Sequence, residues 1–172
     1  MMNPGIEGLL DAWERLPDDR PRRLVIAGAP GPEPEIEPLL QRALDTPGVV
    51  LHARKLPAGQ MQLFLRAADV AVLPYLRSLN SGALLLALTF GVPVVLPAGG
   101  GLAELSDPAY ARTFDPEDAD GLRSALLAAG ELATPKARAA ARSAAEARDA
   151  TALSRAFLTG LRERLDRLDG AG

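Results

Sequence analysis

Asn80, Ser81 and Gly82 stand immediately before an apolar run from Ala83 to Phe90. Such a start to a helix offers backbone N–H groups and a hydroxyl to an anion, with little obstruction at Gly82, and a phosphate suits that position. Ordinary capping by Ser78, Asn80 or Ser81 accounts for the same residues without a ligand. Gly99, Gly100 and Gly101 follow a second apolar run and precede Glu104. There the backbone can approach a bound molecule closely and the carboxylate can accept hydrogen bonds from hydroxyls, although a surface turn also explains three glycines. Gly28, Ala29, Pro30 and Gly31 form another turn after a short apolar run. Arg54 and Lys55 follow a further one, where two cations could neutralise a diphosphate or simply occupy a solvated turn.

Other chemistries find little support. Cysteine is absent, which excludes disulfides, thiolate zinc sites and a cysteine nucleophile. His52 is the single histidine, and without ligands near it in sequence it reads as a packed or strand-edge residue. Asp69 reads as a strand-boundary carboxylate. The turn at Gly28 spells neither a dinucleotide fingerprint nor a phosphate-binding loop with its lysine, so ordinary NAD or ATP binding is unsupported. No serine elbow or His-Asp pairing appears, and neither a metal nor a cofactor is expected.

The elements that must position these residues alternate in type. Ile6, Leu9, Leu10 and Trp13 share one face of a helix that Asn3 can cap, and Pro17 to Pro21 interrupt it. Leu24 to Ala27 reads as a buried strand and the stretch from Pro34 as a helix burying Ile36, Leu39, Leu40 and Leu44. Val49 to His52, Val70 to Leu73, Pro93 to Leu96 and Arg112 to Phe114 read as further strands. Helices are expected over Gly59 to Ala67, over the leucine-rich run after Gly82, and over Pro116 to Leu127 with Glu117, Asp118 and Asp120 in its first turn. Leu84, Leu85, Leu86 and Leu88 are expected in the core. Short apolar strands between amphipathic helices imply an α/β fold, a Rossmann-like open parallel sheet with helices on both faces, whose ligands bind outside the carboxyl ends of its strands.

The 172 residues favour one core-forming domain, taken as 1–132, followed by C-terminal helices over 133–172 that pack on the domain or on a partner. Thr134 and Pro135 mark a helix start, and Leu153, Phe157, Leu161 and Leu165 recur every four residues. Up to residue 135, 11 Lys and Arg face 17 Asp and Glu; beyond it, 8 face 5. The acidic body is a poor surface for nucleic acid, while the basic tail reads as a solvated helix face. No apolar stretch reaches the roughly 18 to 20 residues of a membrane span and no signal pattern opens the chain, so a cytoplasmic location without membrane insertion is expected.

The ordered set of segments from Gly5 to Trp13, "RRLVIAGAP" at 22–30, "LFLRAADVAVLPY" at 63–75, "SGALLLALTFGVPVV" at 81–95 and "GGLAE" at 100–104 resembles the C-terminal, donor-binding domain of GT-B retaining glycosyltransferases of the family 4-like group 1. The resemblance covers nearly the whole chain, and it is the combination of segments that is specific. It implies a nucleotide diphosphate-sugar as donor substrate. Gly28 and Ala29 would approach the diphosphate, Arg54 and Lys55 would lie near nucleotide or phosphate, and Ser78, Asn80, Ser81 and Gly82 would cradle phosphates and sugar. Gly100 and Glu104 would lie near the donor hydroxyls.

Two features depart from that pattern. The family commonly carries two glutamates separated by seven residues before its G-x-P-V-V; here those positions are Ser78 and Leu86. The family's domain also opens with a central strand, whereas here the sequence starts at the following helix. A separate acceptor-domain protein, a homodimer or a rearranged sheet is expected to compensate, because unpaired interior strand edges are costly. The expected function is therefore the donor-side half of a sugar transferase. A silent nucleotide-sugar-binding module and a structural interaction protein are the alternatives.

Overall fold

The computed structural model describes residues 4–31, 36–74, 81–99 and 106–148. The chain runs α1 (Pro4–Glu14), β1 (Leu24–Gly28), α2 (Ile36–Asp45), β2 (Val49–Ala53), α3 (Ala58–Ala67), β3 (Ala71–Val72), α4 (Ser81–Thr89), β4 (Val94–Pro97) and β5 (Ala111–Phe114). It continues with α5 (Gly121–Ala129), a 3-10 turn at Gly130–Leu132 and α6 (Pro135–Glu146). The parallel α/β reading holds, with the strands in two ladders. β1 pairs with β2 from Leu24↔Val49 to Gly28↔Ala53, and the other ladder runs in the order β3-β4-β5.

The second ladder is organised around β4, which has a parallel neighbour on each side. Successive side chains of a strand point to opposite faces. Val94 and Leu96 accordingly join Leu73, Leu84, Leu88 and Ala141 in one cluster, while Val95 joins Phe114, Ala125 and Ala129 in another. Both faces of β4 are covered, and Val94, Val95 and Leu96 are wholly buried.

A third cluster belongs to the first ladder: Leu10 of α1, Leu39 and Ala43 of α2, with Ile6, Ile26, Val49 and Leu51 packed against them. At its rim, Arg42 of α2 donates to Asp11 Oδ1 at 2.6 Å and to both oxygens of Glu14, at 2.8 and 3.1 Å. Thr46 Oγ1 also donates to Glu14, at 3.2 Å. The Arg42 hydrogen bond is the chief cause that holds the Glu14 carboxyl below its ordinary value, and the Glu14 and Asp11 bonds raise the guanidinium in turn.

Two helix boundaries show how local chemistry overrides pattern. The helix expected from Pro116 begins instead at Gly121. Asp115 accepts from the Glu117 N–H at 2.9 Å and Asp118 from the Asp120 N–H at 3.0 Å, so the acidic residues expected in a first turn form side-chain turns ahead of the helix. Thr134 and Pro135 do start a helix, with the Thr134 hydroxyl accepting from the Ala137 N–H at 3.1 Å.

The G-V-P at 91–93 has a local explanation as well. After α4, the Gly91 N–H reaches Leu88 O at 2.8 Å and the Val92 N–H reaches Ala87 O at 2.9 Å, which is the hydrogen-bond pair of a Schellman stop. Gly91 sits at φ +66°, and a Cβ there would meet Arg138 O and Arg142 Nη2, each at 3.0 Å. Pro93 then prevents any return to helix.

Gly91→Ala should therefore destabilise the fold by about 1–2 kcal/mol from the left-handed backbone alone, with crowding against α6 adding to it. A lowered urea midpoint at unchanged slope is the expected result, and an unchanged midpoint would contradict it. Glu14 has a depressed folded pKa, so its stabilising contribution is fully present above its ordinary value of 4.5 and is lost as pH falls through the lower folded value. Glu14→Gln should flatten the acid limb of a stability-against-pH curve below that value, measured by urea midpoints; an identical limb in both proteins would contradict the role given to this carboxylate.

Candidate functional site

Parallel strands direct all their carboxyl ends, and the loops that follow, to one edge of their ladder. Gly28 ends β1 and Ala29 follows it; both are exposed. Arg54 and Lys55 follow β2 and are also exposed, with Arg54 Nη2 donating to Gln60 Oε1 of α3 at 2.9 Å. These four residues share the carboxyl edge of the first ladder through the β1–β2 register. His52 stacks edge-on against Phe64 with centroids 5.0 Å apart, which is a packing role.

In the second ladder, Leu73 N–H bonds Val95 O at 2.8 Å and Pro74 closes the run. α4 then starts at Ser81. The first N–H groups of a helix lack intrahelical acceptors. Gly82 is exposed, and among the described residues no atom stands within 4 Å of where a Cβ would be. Ser78, Asn80, Gly100 and Glu104 lie outside the described residues.

α4 is held by Leu84 and Leu88, each wholly buried, and by Ala87. Leu86 departs from expectation: it is 41% exposed, because α4 buries one side against β4 and α6 and position 86 falls on the other.

A cleft of about 540 Å³ that sequence reasoning missed lies between α1, α5 and the ends of β3 and β5. Its wall includes Asp11, Glu14, Arg15, Asp115 and Asp118. Arg15 is held by Asp120 Oδ1 at 2.8 Å and Ala119 O at 2.7 Å. Asp11 and Glu14 of this wall are paired with Arg42, and Asp115 and Asp118 accept from backbone N–H groups. The cleft unites residues about a hundred positions apart, and nothing local in the sequence marks it. Among the described residues no group of three His, Cys, Asp or Glu side chains is placed to hold a metal, and no helix is long and apolar enough to cross a membrane.

The family model for glycosyl transferases group 1 matches residues 1–131. The chain belongs to this family. Among solved structures, sucrose-phosphate synthase from Thermosynechococcus elongatus matches with a TM-score of 0.71 and 24% identity, over 99% of this chain and 43% of that one. The glycotransferase of kitacinnamycin matches with a TM-score of 0.50 and 21% identity, over 92% of this chain and 39% of that one. At these identities the structural likeness shows the fold, which is that of GT-B glycosyltransferases. The chain spans less than half the length of either neighbour. A search of curated proteins gives no match.

Within the family fold, the open α4 entrance yields a specific expectation. If the first turn of α4 holds a nucleotide diphosphate-sugar, Gly82→Val should weaken that binding at least tenfold by crowding it, while the melting temperature changes little because no described residue packs at this position. Calorimetric affinity equal to that of the unmodified chain would remove this entrance from the site.

Proposed function

We propose that this chain is the donor-side half of a glycosyltransferase, binding a nucleotide diphosphate-sugar for retaining transfer to an acceptor hydroxyl. The observation that carries the reading is the unobstructed helix entrance at Gly82, just beyond the carboxyl end of β3, in a chain of this family. The N–H groups opening α4 and the positive end of its dipole would hold the diphosphate. Gly28 and Ala29 leave room for close backbone approach, and Arg54 and Lys55 would add positive charge. Ser78, Asn80, Ser81, Gly100 and Glu104 complete the proposed set on the sequence resemblance.

These groups act on the leaving group. As the bond from the anomeric carbon to the diphosphate lengthens, negative charge grows on the diphosphate oxygens, where fixed dipoles and cations stabilise it more than they stabilise the ground state. The acceptor hydroxyl attacks the same carbon, and its proton passes to the departing diphosphate oxygen. Orienting the acceptor falls to a second domain, and turnover is conditional on that complement.

One observation favours a second reading, a nucleotide-sugar-binding module without catalysis. Leu86 is an exposed leucine where the resemblance places a glutamate, so a side chain able to bond a sugar or ribose hydroxyl is replaced by one that cannot.

Isothermal titration with UDP-, GDP- and ADP-glucose tests donor binding directly. Binding of one donor, weakened by its free nucleoside diphosphate in competition, is the expected result; absence of binding by all three to the folded chain overturns it. Sugar transfer on addition of an acceptor-side half separates transferase from silent module.

A further inference from the structure

The helices form two layers of opposite charge. α1 and α2 cover one face of the first ladder, packing on Ile26, Val49 and Leu51, and α5 covers one face of the second, packing on Val95. α1 and α5 touch, so these three helices make one layer. α3 lies on the other face: strand alternation turns His52 away from the side of Leu51, and Phe64 of α3 meets it there. α4 and α6 continue that second layer on Val94 and Leu96, with Leu65 and Ala68 at the end of α3 packed against the same cluster. In the first layer, residues 4–15, 36–45 and 115–129 hold nine carboxylates and three arginines. In the second, residues 58–67, 81–89 and 135–148 hold five cations and one carboxylate, Glu146.

Three of these cations meet where α3 and α4 end. Arg66 holds its guanidinium 5.7 Å from the centre of the Phe90 ring. Arg138 donates to Ala68 O, with Asp69 Oδ1 at 4.0 Å. Arg142, one turn further along α6, stands 3.0 Å from where a Cβ on Gly91 would be. Arg66 and Arg142 are exposed, and among the described residues neither forms an ion pair, whereas Arg15, Arg22, Arg42 and Arg112 each do. The negative end of the α4 dipole draws cations to this corner, but it does not account for Leu63. That residue lies three positions before Arg66, on the same outward side of α3, and at 64% is more exposed than the other large apolar side chains described.

We propose that this corner, Leu63 with Arg66, Lys136, Arg138 and Arg142, docks on the anionic surface of a lipid bilayer, with Leu63 entering the headgroup region. An exposed leucine among cations from two helices combines apolar burial with attraction to many lipid charges, and cations spread in this way need no single partner. Two carboxylates stand near the corner, Asp69 beside Arg138 and Glu146 one turn beyond Arg142, and the four cations exceed them. The acidic layer on the opposite side is repelled by the same surface, which turns α3 and α6 toward the lipid. The contact is peripheral and involves no crossing of the membrane. It gives a partner to the basic excess beyond residue 135, and it does not depend on donor binding.

The experiment is sedimentation of the full chain with phosphatidylcholine vesicles containing about 30% phosphatidylserine, at about 0.1 M salt. Binding is expected there, but not to phosphatidylcholine alone and not in about 1 M salt, where the screening length falls to about 3 Å. Arg66→Gln together with Arg142→Gln should lower the partition coefficient at least tenfold, at about fivefold per cation. Arg20→Gln together with Arg23→Gln makes the same change of charge outside the corner and should alter it less than about twofold. Leu63→Trp supplies a separate readout: its emission should move to shorter wavelength with the anionic vesicles, whereas that of Trp13 in the unmodified chain, whose Nε1 donates to Pro47 O at 3.1 Å, should not. Equal binding to neutral vesicles, equal loss in the two double variants, or an unshifted Leu63→Trp spectrum overturns the proposal. So does the same shift with soluble polyglutamate in place of vesicles, which would assign the corner to an acidic protein.

Discussion

The double coverage of β4 is the constraint on which the second ladder depends. A parallel strand with neighbours on both sides has no free peptide groups, so its side chains alone decide what packs above and below it. Val94 and Leu96 call for α4 and α6 on one face; Val95 calls for α5 on the other. The Schellman stop at Gly91 delivers the chain from α4 into β4 in two residues, and its tight backbone leaves room for α6 to pass close by. A short strand thereby sets the position of three helices and of the loops at its carboxyl end.

The first ladder has a separate core, and polar contacts help link it to the second. Arg15 and Arg123 connect α1 with α5 and the turn before it, and Arg42 ties α2 back to α1. These contacts are largely exposed, where screening makes each worth little alone. Their effect is geometric: they hold α1 across the two ladders and so define the cleft beneath it. The same arrangement places the Gly28 and Arg54 turns at strand ends and the carboxylates around the cleft.

Much of the fold was legible because it is written in short-range pattern. Runs of four residues marked β1, β2 and β4, the short Arg112–Phe114 stretch marked β5, and Thr134-Pro135 marked a helix start that the hydroxyl cap confirms. Misreadings arose where two local rules compete. Asp115 and Asp118 can serve a helix dipole or close turns on neighbouring N–H groups, and the turns prevail. Leu86 looked like core because composition does not distinguish the two sides of a helix apolar nearly all round.

The candidate site divides along the same line. Residue type and order alone determined that a small-residue segment precedes the leucine-rich helix, that glycine and cationic turns follow other strands, and that the chain has the pattern of the glycosyl transferases group 1 family. Those properties reside within a few consecutive residues, where backbone preference and hydrogen-bonding capacity act locally. Only the tertiary structure decided that the strands form two ladders, that no described residue packs where a side chain at Gly82 would stand, and that Asp11, Glu14, Asp115 and Asp118 line one cleft. Each of these depends on which distant segments meet, and that is set by packing and strand pairing across the whole chain.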